Sequence, residues 1–340
     1  VSKFFKLSLS VFIFLSFLSS GATDSRPIQV GSSPVVSSVG IYIAMDKGYF
    51  KDEGLDVNVT DFKNSGAPMT LLLAKGELDV GAGNLTSGLF NAMTEGQQFK
   101  LVADKGHLAL DRDYIGLLVR EDHLANGRYK NFGDLKGFKM GLTALDGVSQ
   151  QIIAERFLEK AGLAAKDVTF VKLSYAEMNV ALRTKQIDAC IQLEPFLTQA
   201  EKDGIGKRVA GGVEVHPRQQ SGAIFFSPNF ISERPADGIK FMKAYLRGVR
   251  LYNKSIENKS FDKDLLASLK KHIPVDQDSL WNEMRPVGLN NNGLLDLTSL
   301  QQDLEWYRSK KYLTKNLKVE EIVDLKFANQ ATTLLDNATN

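Results

Sequence analysis

From residue 28 to residue 227 the chain repeats one unit: a short run of β-branched and small apolar residues, a loop rich in Ser, Gly, Pro or Asn, and an amphipathic segment that stops at a glycine. The pattern predicts strands over residues 28–30, 56–59 and 79–81. Helices are predicted over 41–47, over 69–75, and from the Gly83-Asn84-Leu85-Thr86-Ser87 loop to about residue 95. Gly48, Gly76 and Gly96 stand where each helix needs a left-handed cap. After a break the unit restarts, with strands at 114–119, 139–142, 168–172 and 188–192 and helices at 147–161 and 174–185. Ser174 and Glu177 have the spacing of a capping box, in which the hydroxyl accepts from the amide three residues on and the carboxylate reaches back. A strand at 223–227 follows, and from Pro235 the chain is mainly helical. Strands that alternate with helices come out parallel, with crossover connections. The expected class is therefore α/β and doubly wound, in two similar halves with a helical C-terminal segment.

Composition removes several functions. Lys and Arg number 42 against 40 Asp and Glu, so the chain lacks the cationic excess with which a nucleic-acid binder neutralises phosphates. Cys190 is the one cysteine, which excludes an intrachain disulfide, a cysteine zinc site and a thiol pair; it falls in an apolar strand and reads as a core residue. The histidines at 107, 123, 216 and 272 are too scattered to suggest a metal site. Neither a metal nor a cofactor is expected. Lys3 and Lys6 flank the start of an apolar run over residues 7–18, and Ser19, Ser20, Gly21 and Ala22 follow it. These are the parts of a secretory signal, with cleavage expected after Ala22. The run is shorter than the roughly 20 residues of a spanning helix, and no Cys follows it to take a lipid. A periplasmic monomer without a lipid anchor is expected.

Four segments carry a family resemblance. They are IAMDKGYFKDEGLDV at 43–57, LAKGELDVG at 73–81, DLKG at 134–137, and QIDA at 186–189 running on to Glu194-Pro195-Phe196. In order and spacing they resemble periplasmic binding proteins of the nitrate/sulfonate/taurine class, whose relatives include binders of thiamine-pyrimidine precursors. The resemblance spans nearly the whole chain. It implies a type II periplasmic binding protein, with two α/β lobes joined by two hinge strands and a small organic ligand, sulfonate- or taurine-like, in the cleft between them. It also implies delivery to an ABC permease in the inner membrane with its ATPase, and binding without catalysis. The expected division is a first lobe of residues 27–118 plus 220–340 and a second of 119–219. The motif residues themselves read as architectural: Gly48, Gly54 and Gly76 close helices or turns, while Asp79 and Asp188 open strands.

Ligand contacts in an open sheet lie beyond the carboxyl ends of the strands, where loops and helix N-termini converge. The candidates are Ser33, Ser37 and Ser38 in the first loop, Asn84, Thr86 and Ser87 in the second, and Lys105 and His107 after the strand at 101–103. In the second half they are Thr143, Asp146, Ser149, Tyr175, Glu194 and Phe196. Helix starts near Thr86 and Gly147 would offer amides and a positive dipole end to a sulfonate or carboxylate. The plainer role of each Ser, Thr or Asn is to cap a helix. Asp146 and Glu194, if they face the cleft, would repel a bare anion and favour an aminosulfonate or an aminopyrimidine. The alternatives are a binding protein for a thiamine-pyrimidine precursor and an enzyme like the related eukaryotic pyrimidine-precursor synthase. That family carries a Cys-rich run, which is missing here, and no Ser/His/Asp spacing or phosphate loop replaces it.

Overall fold

The computed structural model describes residues 26–62, 67–275 and 277–338. The expected leader over residues 1–22 lies outside the described residues. Among the described residues ten strands occur in chain order: β1 (Ile28–Ser32), β2 (Val57–Asp61), β3 (Val80–Asn84), β4 (Lys100–His107), β5 (Ile115–Arg120), β6 (Lys139–Leu142), β7 (Thr169–Lys172), β8 (Ala189–Leu193), β9 (Gly206–Gly211) and β10 (Gln220–Phe226). They form two five-stranded sheets, ordered β2-β1-β3-β10-β4 and β7-β6-β8-β5-β9. Central strands β3, β5, β8 and β10 are buried almost throughout because helices or the other elements cover both faces. The edge strands β2 and β7 leave polar residues such as Asn58, Thr60 and Thr169 in water.

The sheets are mixed, where a purely parallel arrangement was expected. β10 runs antiparallel to β3 and β4, and β5 runs antiparallel to β8 and β9. The cause is the crossing itself. Ile115 opens β5 opposite Leu193, the last residue of β8, and Gln220 opens β10 opposite His107, the last residue of β4. A strand that arrives from the other sheet enters at the carboxyl ends of its new neighbours and must run against them. The first passage occupies residues 108–114 and the second 212–219, so β5, which a boundary at residue 118 would split, pairs entirely in the second sheet. Strand β9, whose sequence GKRVAG has little apolar pattern, was not predicted; it gains its form from pairing with β5.

The helix Pro235–Glu257 covers the first sheet. It lies so close to the helix Val39–Asp46 that a Cβ at Gly248 would collide with the Gly40 carbonyl oxygen. Phe226 meets Phe230, Phe241 and Phe327 edge-on at centroid distances of 5.0, 5.9 and 5.0 Å, tying β10 to three helices. Another C-terminal helix, Leu297–Ser309, reaches the second sheet's side. Just beyond it Lys310 pairs with Glu155 at 2.5 Å, while the Gln151 side-chain amide donates to the Tyr312 hydroxyl at 2.9 Å. Among the described residues no helix is long and apolar enough to cross a membrane.

Candidate functional site

A cavity of about 400 Å³ opens between the two sheets, within the size range of small-ligand pockets. One wall comes from the first sheet: Ser33, Pro34 and Val35 after β1, Met69 of the helix Ala67–Ala74, and Asn84 at the end of β3. The facing wall comes from the second sheet: Tyr175 and Ala176 at the start of the helix Tyr175–Arg183, and Phe196 at the start of the helix Phe196–Lys202. Residues 270–274, from Lys270 to Pro274, close a third side.

Local rules place the aromatic wall. Ser174 and Glu177 form the predicted capping box, the Glu177 carboxylate accepting from the Ser174 amide at 2.7 Å, so the helix starts there and turns Tyr175 to the cavity. The Tyr175 and Phe196 rings lie 6.0 Å apart and 15° from parallel. Gln192 of β8 donates to the Tyr175 carbonyl at 2.9 Å and to Asn179 Oδ1 at 3.0 Å, and Asn179 donates to the Phe196 carbonyl at 2.8 Å. This chain of buried and half-buried bonds fixes both rings before any ligand arrives. Asn84 donates to the Tyr175 hydroxyl at 2.9 Å, joining the two walls.

The third side is basic in sequence but largely neutralised. Lys271 and His272 both meet Asp46 at 3.1 Å, and Lys270 meets Asp278 at 2.9 Å. Burial opposes the Asp46 carboxylate, but the bonds from His272 and Lys271 hold its pKa below the usual range. His272 stacks on Tyr42 with centroids 4.6 Å apart.

Of the fourteen candidates read from sequence, the cavity gathers Ser33, Asn84, Tyr175 and Phe196. Ser37 accepts from the Lys105 amine at 3.0 Å, and Ser38 accepts from Ser32 at 3.1 Å; all four are buried and none lines the cavity. Thr86 caps the helix Ser87–Thr94 by accepting from the Leu89 amide at 3.1 Å. Thr143 donates to Gln150 at 2.6 Å, Ser149 donates to the Ser221 carbonyl at 3.3 Å, and Asp146 is exposed. His107 sits apart, beside a second cavity of about 600 Å³ built from both passages and residues 290–296, without a strand of the second sheet. Burial opposes the His107 cation, but Asp104, 2.9 Å away, raises its pKa.

Two expectations change. At the helix starts near Thr86 and Gly147 the first amides are not available to an anion: the Ser87 amide donates to the Gly147 carbonyl at 2.8 Å, and the Ser149 amide donates to the Leu85 carbonyl at 3.2 Å. These ends bind each other across the sheets. Glu194 turns away from the cavity to cap its own helix. It accepts from the Thr198 amide at 3.0 Å, the Thr198 hydroxyl at 2.9 Å and the Arg285 amide at 3.3 Å, and burial pushes its pKa up to about 6. Met69 and residues 270–274 line the cavity without having been candidates. The sequence marks only a helix stop near Pro274, and tertiary packing brings that stop to the cavity.

The arrangement of two mixed α/β sheets, joined by two passages with a cavity at their strand ends, is that of the periplasmic binding proteins. Residues 21–264 match the profile of the NMT1-like family, and the chain belongs to it. A relative from Brucella abortus, named "Putative binding protein", is 26% identical over 294 residues, covering 85% of this chain and 86% of its own length. A 4-amino-5-hydroxymethyl-2-methylpyrimidine phosphate synthase of Saccharomyces cerevisiae is 29% identical over 175 residues, 51% of this chain and 47% of that enzyme. Among solved structures, the ligand binding component of an ABC-type import system from Staphylococcus aureus superposes with a TM-score of 0.73 at 15% identity, over 90% of this chain and 99% of that one. The alkanesulfonate-binding protein of Xanthomonas axonopodis, bound to MOPS, gives 0.71 at 18% identity, over 89% and 99%.

Proposed function

We propose that this chain is the solute-binding component of an ABC importer, exported to the periplasm, which captures a small organic molecule bearing a flat ring and delivers it to a membrane permease. The observation that carries the reading is the Tyr175–Phe196 wall, prepositioned by Gln192 and Asn179 and set in a mostly apolar cavity with Met69, Pro34 and Val35. Such a wall offers an extended apolar face, and stacking on it contributes most for a planar ligand. A taurine-like chain would leave that face uncovered, and the Ser87 and Ser149 amides at the helix starts, which would suit its sulfonate, are already bonded. The names of relatives support both parts of the reading: importer components on one side, a pyrimidine-forming enzyme on the other. Cys190, sealed in β8 with its thiol pKa raised by burial, offers no activated nucleophile, which favours capture over chemistry. In this reading the lobes divide at residues 108–114 and 212–219, and they rotate about those passages on binding.

A thermal-shift screen should separate ring compounds (4-aminopyrimidines, benzoate, benzamide) from taurine and nitrate, because a ligand that prefers the native state raises the melting temperature. Stabilisation by taurine or nitrate, with none from ring compounds, would overturn the ring assignment. Consumption of a bound compound by the purified chain would overturn the transport assignment.

A further inference from the structure

Lys105, on β4, is 1% exposed, yet among the described residues its amine has one hydrogen-bond partner, the Ser37 hydroxyl at 3.0 Å. An ammonium has three donors, and burying it with two of them idle costs far more than exposing it. The carboxylates nearest in charge do not fill the gap. Asp61 of β2 accepts from the Tyr42 hydroxyl at 2.5 Å. Asp104 accepts from the Gly106 amide at 2.8 Å, from Gln220 at 2.7 Å, from the Asn290 amide at 2.7 Å and binds His107 at 2.9 Å. Burial pulls the Lys105 pKa down to about 7 against the pull of both carboxylates.

Position gives the amine a use. Its stem crosses β10 at Gly222, where a Cβ would lie 3.5 Å from Lys105 Cδ. Gly222 pairs directly with Asn84, and directly paired residues of antiparallel strands share a face, so Lys105 lies on the side of the sheet that carries Asn84. Ser37 follows the cavity-lining Ser33–Val35 loop. The amine and the Ser37 hydroxyl thus lie behind the cavity lining, on the side of the sheet that carries Asn84.

We infer that Lys105 is the specificity-determining residue of this pocket, receiving a carboxylate carried on the ring of the ligand when the lobes part to admit it. The inference rests on the ring-pocket reading above. A carboxylate would take the idle donors and restore the amine's charge, which recovers the desolvation cost that the empty state bears. A ring without an acid would leave that cost in place.

Benzoate and benzamide share a ring and differ in charge. In titration calorimetry at pH 7 the unmodified chain should bind benzoate about tenfold or more tightly than benzamide, a difference of about 1.4 kcal/mol. Lys105→Met should bind the two alike. At pH 8 the unmodified chain should also take up a proton with benzoate, read as a binding enthalpy that differs between phosphate and Tris buffers, and the Met variant should not. The other groups near the amine are Asp61, Asp104, Tyr42 beside Asp61, His107 on Asp104, and Tyr114 and Tyr245 around the passage. Their contribution persists in the variant. Equal affinity for the two probes in the unmodified chain overturns the Lys105 assignment and leaves the ring pocket standing. A benzoate preference that survives in Lys105→Met overturns it as well. Binding of neither probe overturns the ring-pocket reading and the assignment with it. If the Met variant fails to fold, Lys105→Gln serves for the same comparison.

Discussion

Asn84, the last residue of β3, and Tyr175, the first residue of a helix on the other sheet, hydrogen-bond across the cavity at 2.9 Å. The bond forms only when the two walls are close, so the lobe rotation proposed above would break it on opening. Tyr175→Phe keeps the ring and its stack on Phe196 but removes the acceptor. The closed form should lose about 1 kcal/mol, and affinity for a ring compound that raises the melting temperature should fall about fivefold. Tyr175→Ala removes the wall itself and should weaken binding far more. Calorimetry on both variants checks this; equal losses would mean that the hydroxyl, and not the ring, dominates.

Gly147 is a second point of contact between the sheets. Its backbone has φ of 93°, and a Cβ there would lie 2.9 Å from Ser87 Cβ and 3.1 Å from the Tyr307 ring. Gly147→Ala therefore meets both backbone strain and a clash, at about 1–3 kcal/mol for the conformation alone. Its urea midpoint should fall, and small-angle scattering should give a larger radius of gyration as the Ser87–Gly147 junction opens. An unchanged radius with a lowered midpoint would place the strain inside one lobe.

Local chemistry was legible in the sequence, and long-range placement was not. The Ser174 capping box needs four consecutive residues, and it formed as read. Tyr175 and Phe196 could be named because each follows a strand and opens a helix, which fixes its position at the strand ends whatever the fold does elsewhere. The antiparallel course of β5 and β10 depends on where the chain crosses between sheets, and no local pattern encodes a crossing. Residues 270–274 reach the cavity because the C-terminal helices fold back, with His272 stacked on Tyr42 more than two hundred residues away in sequence. Glu194 is ambiguous in sequence for a subtler reason. A carboxylate after a strand can face the ligand or cap the next helix, and the Thr198 amide and hydroxyl decide for the cap.

That cap makes a pH prediction. Burial raises the Glu194 pKa from 4.5 to about 6, so between those values the folded chain holds a proton that the unfolded chain has lost. Stability from this group is present below about pH 4.5 and declines as pH rises through about 6, by about 1–2 kcal/mol in all. Glu194→Gln cannot ionise and should lose that segment of the pH profile. Its affinity for ring compounds should stay unchanged, because the carboxylate is already occupied by the Thr198 amide and hydroxyl and the Arg285 amide. Urea midpoints at pH 4.5, 6 and 7.5 for both chains test the sign; a decline of equal size in the Gln variant would assign it to another group.

Lys105 gives the opposite slope. Its pKa is lowered from 10.5 to about 7 by burial, so between these values the unfolded chain binds a proton that the folded chain does not. Unfolding free energy therefore increases with pH across this window, since its slope follows the excess of protons on the unfolded state. Lys105→Met removes the titration and the burial cost together, and replacing an under-partnered buried charge by a residue of similar length is neutral to stabilising. The variant should thus exceed the unmodified chain most at pH 6, by about 2 kcal/mol or more, and the gap should narrow toward pH 10. Denaturation at pH 6, 8 and 10 without ligand reads this directly. A gap that is constant with pH would show that the folded chain titrates Lys105 as water does, and that its amine is better satisfied than the single bond to Ser37 indicates.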